Sequence, residues 1–594
     1  LCEEMVLNAS ADARHLERFA AFVNFHADTA TCLPVRSPGL WVEAGRLAAA
    51  VRKEAQEMQK QLRAQRQAST PQQQKSALRS LKCAVKCAAE PLQADAGAGL
   101  PDPCQQEGFV DKQQISASVV ARSAVRPTEV ARYLNAELKK RICFLATPSS
   151  GATSKADFKA YFDKGCDVLG TNTSALAGYE ESKAAAQLTK EAAAEATKGD
   201  SSKPRFVAGV IGPSEHSLSS PTSAGDPSLR TTSWEELVAS YTEQVRGLAD
   251  GGVDLLSIEM VSDTLNAKAA IFAIDEFCSQ AKRERPPLLV TAVIADSGRL
   301  PGGQSIEAFL VSIAHAKPLS VGVRGPPEPT KKATEALSRL RAAAWCHVVA
   351  DSQASELAAY GDSGLVNFAG TRGLPASDLE AVAKAVRSAR PRTAPAKAAP
   401  VLRLAGLDAV EVPTEGGSVQ LVGQRCNLGG SAQFRGLVDA YKYNRQGSRW
   451  EAALEVCAEQ IEGGADILDL NFDSELIDSK WAMGKFLRLC SAEARVARVP
   501  FILGSSEWPA IEAGLRSIQG KSAVNAISFL QGEEEFLRLA AACRRYGAAV
   551  VVMALDSPEE GASFQERVSI GQRAYGLLRK RLDFPPEDII FDCH

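Results

Sequence analysis

Two kinds of side chain here have types and spacings that could do chemistry: thiols near one another, and polar groups at the ends of apolar runs. Cys83-Ala84-Val85-Lys86-Cys87 sets two thiols at i and i+4, neighbours on one helix face that could offer two thiolates to a metal. No second Cys or His pair lies near them in sequence. Cys166 and the adjacent Cys346-His347 are further soft donors. No spacing links them, and free cysteine is among the most buried residue types, so core packing is their expected role. The polar groups say more. Glu259 stands at the end of the apolar run Asp254–Met260; Arg425 and Asn427 follow Val419–Gly423, whose last residue is Gly423, and Asp469, Asn471 and Asp473 stand at the end of Ala465–Leu470. If the runs are parallel strands, polar residues so placed face a ligand more often than a core, loop bracing being the alternative.

The elements that must position them follow from periodicity. From Arg141 onward, short runs rich in Val, Ile and Leu alternate with longer segments of helical period, the sequence form of repeated βα units. Eight such runs are Ile142–Ala146, Asp167–Thr171, Arg205–Ile211, Asp254–Met260, Leu288–Ala295, Leu319–Arg324, Trp345–Ala350 and Leu365–Ala369. Eight parallel strands with intervening helices close into a (β/α)8 barrel of about 250 residues; an open doubly wound sheet is the alternative. A last amphipathic helix is expected over 376–390. A second series supplies Val419–Gly423, Ala465–Leu470, Pro500–Leu503, Val524–Phe529, Ala548–Leu555 and Asp588–Phe591. Six strands cannot close an eight-stranded barrel, and the first and last are left as apolar edges.

The fold class is therefore α/β, two TIM-type barrels in tandem with the second truncated. The expected division is an N-terminal extension over 1–126, partly helical or disordered; a barrel over 127–390; a Pro-, Ala- and Arg-rich linker over 391–416; and the incomplete barrel over 417–594. Within the extension, the Gln/Arg/Lys-rich stretch from Arg52 to Gln74 reads as a solvated helix ending near Ser69-Thr70-Pro71. Leu1 at one end, and His594 just beyond the run Ile589-Ile590-Phe591 at the other, suggest a chain cut at both ends.

Composition narrows the function classes. With 45% hydrophobic and 23% charged residues the chain is globular, and no run approaches the roughly 18 apolar residues of a membrane span. Lys+Arg 68 against Asp+Glu 71 leaves a net charge of -3, too balanced for a general attraction to nucleic acid or anionic membrane, which leaves small-molecule substrates. The 14 cysteines are scattered, and no signal peptide opens the chain, which points to a reducing compartment, the cytoplasm.

Specific wording then emerges. Ser233-Trp-Glu-Glu-Leu-Val, Tyr241-Thr-Glu-Gln-Val-Arg-Gly-Leu, Gly251-Gly-Val-Asp-Leu-Leu-Ser-Ile-Glu-Met and Asp263-Thr-Leu-Asn-Ala-Lys-Ala-Ala lie in the first series. Gly423-Gln-Arg-Cys-Asn-Leu-Gly-Gly-Ser-Ala, Asp469-Leu-Asn-Phe-Asp and Phe584-Pro-Pro-Glu-Asp-Ile-Ile-Phe-Asp lie in the second. This collinear series, over about 127–594, resembles cobalamin-dependent methionine synthase; the first 125 or so residues match nothing in it. The resemblance implies a first barrel for homocysteine on zinc, a second for methyltetrahydrofolate, and a cobalamin module that is absent from this chain and would come from a separate domain or protein.

The same resemblance assigns residues. The family's three zinc cysteines fall on Gly325, Thr371 and Arg372, so zinc is expected to be absent. The family's Asp-Gly pair after the first strand is replaced by Ala146-Thr147-Pro148, and its acidic residue before Thr-Asn-Thr by Gly170. Glu259 corresponds to the anchor of the homocysteine ammonium, with Asn172 and Thr173 nearby. In the second barrel Asn525 and Asp592 retain two of three pterin anchors while Gly504 replaces the third, an Asp, and Gln424 replaces a Glu. Asp469, Asn471, Arg425 and Asn427 complete the pterin set. The readings that follow are a methionine synthase-like methyltransferase fragment, methylating homocysteine from 5-methyltetrahydrofolate through cobalamin; a catalytically inactive, zinc-free homologue with weak pterin binding or a scaffold role; and a fused or mis-assembled reading frame.

Overall fold

The computed structural model describes residues 126–593 apart from 174–176, 326–330, 352–356, 358–363, 388, 394–400, 414–418, 444–448, 476 and 558–562. The helix expected within 52–74 and the Cys83/Cys87 pair lie outside the described residues.

The first series closes. β1 (Cys143–Thr147), β2 (Val168–Gly170), β3 (Phe206–Ile211), β4 (Leu255–Val261), β5 (Leu288–Val293), β6 (Ser320–Arg324), β7 (His347–Asp351) and β8 (Phe368–Arg372) pair in sequence order, and β8 returns to β1 in parallel. Because side chains alternate along a strand, each strand serves two cores. Cys143, Leu145, Val168, Phe206, Ala208, Leu255, Leu289, Val349 and Phe368 fill the barrel interior, while Phe144, Leu169, Val207, Leu256, Val290, Val321, Val348 and Ala369 pack outward on the helices. The helix Pro127–Lys140, which sequence periodicity did not single out, plugs the N-terminal end with Val130, Tyr133, Leu134 and Leu138. Its start carries Pro in the first turn, where the missing N–H costs nothing. Ser233, which opens the recognisable wording, caps the helix Trp234–Asp250 in a reciprocal box with Glu236.

Three expectations need correction. The run expected over Val419–Gly423 is a strand over Val422–Asn427, so Arg425 and Asn427 lie within it rather than beyond its end. The apolar pattern puts the eighth strand over Leu365–Ala369, but β8 runs three residues later: Thr371 and Arg372 pair with Ala146 and Thr147. The polar Thr371-Arg372 end hid a strand that the ladder to β1 holds in place. The supposed linker also contains structure: β9 (Val401–Ala405) and β10 (Ala409–Pro413) form a two-stranded sheet. Leu404 and Ala405 are buried, and Ala405 N–H donates to the Lys521 carbonyl, so burial and a ladder-type bond at the strand's C-terminal end override the Pro/Ala-rich lead-in.

The second series forms β11 (Val422–Asn427), β12 (Ile467–Asn471), β13 (Phe501–Gly504), β14 (Ala523–Ile527), β15 (Ala549–Met553) and β16 (Ile589–Asp592), six parallel strands in sequence order with β11 and β16 at the edges. The barrel and the six-stranded sheet share an interface. Trp234 and Phe272 of the first pack on Tyr546 of the second at centroid distances of 5.9 and 5.1 Å. Lys268 Nζ donates to the carbonyls of Ile518 (3.1 Å) and Gly520 (3.0 Å). Among the described residues no helix is long and apolar enough to cross a membrane.

Candidate functional site

At the C-terminal mouth of the first barrel, β4 is irregular between Ile258 and Val261, and Met260 takes a φ of 60°, the left-handed region. Glu259 lies in the interior row with Leu255 and Ser257. It is 6% exposed and accepts from Thr147 Oγ1 at 3.2 Å and Ser257 Oγ at 3.1 Å. Arg372, the last residue of β8, forms an ion pair with it. Beside this pair, Asp351 at the end of β7 meets Arg324 at the end of β6 (3.4 Å). Burial pushes the Glu259 carboxyl upward against the pull of Arg372, and pushes Asp351 upward against Arg324 and Arg372. Two acids thus face two guanidiniums where the resemblance puts an amino-acid ligand.

Zinc does not fit this donor set. Gly325 has no ligand atom, Thr371 is a buried neutral hydroxyl, and Arg372 contributes a cation already committed to Glu259. A guanidinium at a ligand position repels a divalent ion that thiolates would hold. Among the described residues no cluster of three His, Cys, Asp or Glu forms a metal site. Cys166 is buried with its Sγ on the Val168 carbonyl, and Cys346 and His347 lie at the opposite, N-terminal end of β7, His347 meeting Asn135 at 2.9 Å. Burial lowers the His347 imidazole to about 4.

Asn172 and Thr173 make loop contacts: Asn172 Nδ2 donates to Ala152 O (3.0 Å) and Thr173 Oγ1 to Val210 O (2.9 Å). At Gly170 a Cβ would stand 2.9 Å from Val210 Cγ2 and 3.0 Å from Thr147 Oγ1, so the space for a side chain has closed.

The mouth of the second sheet gathers the pterin candidates. Ile467, Ile502, Ala523 and Ile590 share one packed face; by alternation Asp469, Asn471, Gly504, Asn525 and Asp592 continue that face toward the strand ends. Asp469 is 5% exposed, and burial raises its carboxyl to about 6 against hydrogen bonds from Asn525 and Asn427. Its Oδ1 has no partner among the described residues. Asn427 Oδ1 also accepts from the Gly429 N–H at 2.9 Å. Asn471 Oδ1 accepts from the Asp473 N–H (2.8 Å), and Asp473 takes the Ser506 N–H at 2.7 Å. Arg425 departs from the group: it pairs with Glu459 at 3.1 Å on a neighbouring helix. At Gly504 a Cβ would meet nothing nearer than 3.5 Å.

Sequence reasoning missed the partners rather than the places. The Arg372–Glu259 pair, the Asp351–Arg324 pair, and Ser505 and Ser506, which donate to Asp473, join groups that follow or end different strands. Their one legible signal was an Arg at the position where the wording called for a thiolate.

Residues 127–423, half of the chain, match the homocysteine S-methyltransferase family, and residues 424–594 match the pterin binding enzymes. Among solved structures the chain is similar to the homocysteine methyltransferase MmuM from Escherichia coli, in its apo form (18% identity, 42% of this chain and 97% of that chain, TM-score 0.32) and its metallated form (17%, 43% and 99%, TM-score 0.33). It is also similar to tryptophan synthase from M. tuberculosis (14% identity, 44% of this chain and 99% of that chain, TM-score 0.28). The chain belongs to the homocysteine S-methyltransferase family, and behind that barrel it carries a pterin-binding enzyme domain, the pairing through which it resembles methionine synthase.

Proposed function

We propose that this chain is the folate-binding part of a methionine synthase-type system, in which the second sheet binds 5-methyltetrahydrofolate and the first barrel serves as a scaffold that no longer activates homocysteine. The observation that carries the reading is Asp469: a buried carboxylate with an unpartnered oxygen, flanked by Asn525 and Asn427 at the strand ends. A pterin edge offers adjacent N–H donors to such an acceptor, and the amides can donate and accept around the ring. Asn471 and Asp592 extend the polar face. Cobalamin, supplied by a separate domain or protein, would be the centre that accepts the methyl group and passes it on. This chain's share is to hold and orient the pterin and to keep its acceptor carboxylate ionised above pH 6.

For the first barrel, the Arg372–Glu259 pair favours the scaffold reading, because the carboxylate that would anchor an amino-acid ammonium already has an internal counter-ion. A calorimetric titration tests both halves. Saturable binding of 5-methyltetrahydrofolate, weakened about 5-fold or more in Asn525→Ala through loss of a buried hydrogen bond, with no heat from homocysteine, is the expected result. Absence of folate binding in the native chain and in Gly504→Asp alike would leave ancestry only.

A further inference from the structure

We infer that Cys426 and Cys457 are a dithiol site that closes to a disulfide, tying the edge strand β11 to the helix Arg449–Glu462. Their sulfurs lie 3.3 Å apart and both residues are fully buried. From the same helix, Gln460 donates to Cys426 Sγ (3.2 Å) and accepts the Arg425 N–H (2.7 Å), so the helix grips β11 where its pairing with β12 is irregular. Cys490 adjoins Cys457 and is the competing partner.

Among the described residues β11 pairs with β12 alone, and edge strands open locally at lower cost than central ones. Opening admits a small two-electron oxidant of the hydroperoxide class. One thiol, as thiolate, attacks a peroxide oxygen and becomes a sulfenic acid as the O–O bond breaks; the second sulfur then displaces that oxygen. The products from two thiols and one hydrogen peroxide are one disulfide and two waters. Contact with Cys457, then burial, raises the Cys426 thiol well above its ordinary range, so the reaction accelerates with pH.

Closing the bond draws the sulfurs from 3.3 Å to roughly 2.05 Å. The displacement falls next to Asn427, which bonds Asp469. On the reading that this face holds a pterin, thiol oxidation therefore changes pterin affinity.

The test treats the full chain with hydrogen peroxide at about pH 8.5, near the reference thiol pKa, blocks free thiols, and maps cross-linked peptides by mass spectrometry. The expected product joins Cys426 to Cys457, is two hydrogens lighter than its free peptides, reverses with dithiothreitol, is lost in Cys457→Ser and persists in Cys490→Ser. A Cys457–Cys490 bond instead, or oxidation confined to the exposed Cys593, overturns the assignment. Calorimetry with 5-methyltetrahydrofolate should then show a change in Kd of about 5-fold or more between oxidised and re-reduced protein. Equal affinities overturn the coupling. Cross-linking without pterin binding in either state removes the pterin reading, and the coupling with it, while the disulfide stands.

Discussion

Arg372 shows how one side chain can give a buried acid its partner. Its guanidinium is the counter-ion of a carboxylate that is 6% exposed, and removing one member of such a pair strands the other. Arg372→Gln should therefore lower stability by about 3 kcal/mol. Glu259 already has its carboxyl raised by burial; a group raised in the folded state keeps its proton to higher pH than it does in the unfolded chain, so stability falls as pH rises between the two values. Without Arg372 this effect grows, and the variant should lose more against the native chain at pH 8 than at pH 5 in denaturant melts; an equal loss at both would contradict the pairing. Asp469 follows the same sign. With its carboxyl raised to about 6 against an unfolded value near 3.9, it subtracts stability progressively between those values, about 2 to 3 kcal/mol in all. Asp469→Asn should flatten that part of the pH profile. Folate binding should strengthen from pH 5 to pH 7 as the acceptor ionises. Metal analysis of chelator-free protein should find no stoichiometric zinc; about one ion per chain, lost on Cys166→Ser or Cys346→Ser, would reveal a relocated site.

At the scale of elements, strand parity decides which residues meet. The apolar runs were legible because both faces of each strand are buried, and so were the strand ends that carry Glu259, Asp469 and Asn525. The ends of β8 were not, because its last two residues are polar and only pairing with β1 keeps them in the ladder. Gly504 marks an element whose space has remained open: with nothing nearer than 3.5 Å to an added Cβ, Gly504→Asp should fold and tighten 5-methyltetrahydrofolate binding about 5- to 150-fold, the value of a restored buried hydrogen bond. Gly547 is the opposite case. It sits at φ 74° with the His315 ring of the first barrel against it, so a methyl group there meets both backbone strain and a collision across the interface. Gly547→Ala should cost about 3 kcal/mol, seen as a lower denaturant midpoint; an unchanged midpoint would show that the interface yields.

For the whole molecule, the contrast lies between a closed barrel and an open sheet. Among the described residues β11 and β16 each pair on one side, and the chain exposes Phe591 (38%) on β16 and Phe564 (77%) at the start of the preceding helix. Open edges beside apolar side chains are templates for association. Sedimentation should show concentration-dependent self-association of this chain, reduced by Phe564→Lys with Phe591→Lys. A monodisperse monomer at high concentration would show that the edges are protected.

The sequence by itself determined the βα periodicity, the strand count in each series, the family, and the expectation, carried by the resemblance, that Gly325, Thr371 and Arg372 stand where thiolates would. All of these are local patterns or wording, readable along one chain. Only the tertiary structure decided that Arg372 pairs with Glu259, that Asp469 keeps an oxygen without a partner among the described residues, that Arg425 turns to a helix, and that Cys426 meets Cys457. Each is a contact between strands or helices far apart in sequence, fixed by barrel register and burial, which no local pattern encodes.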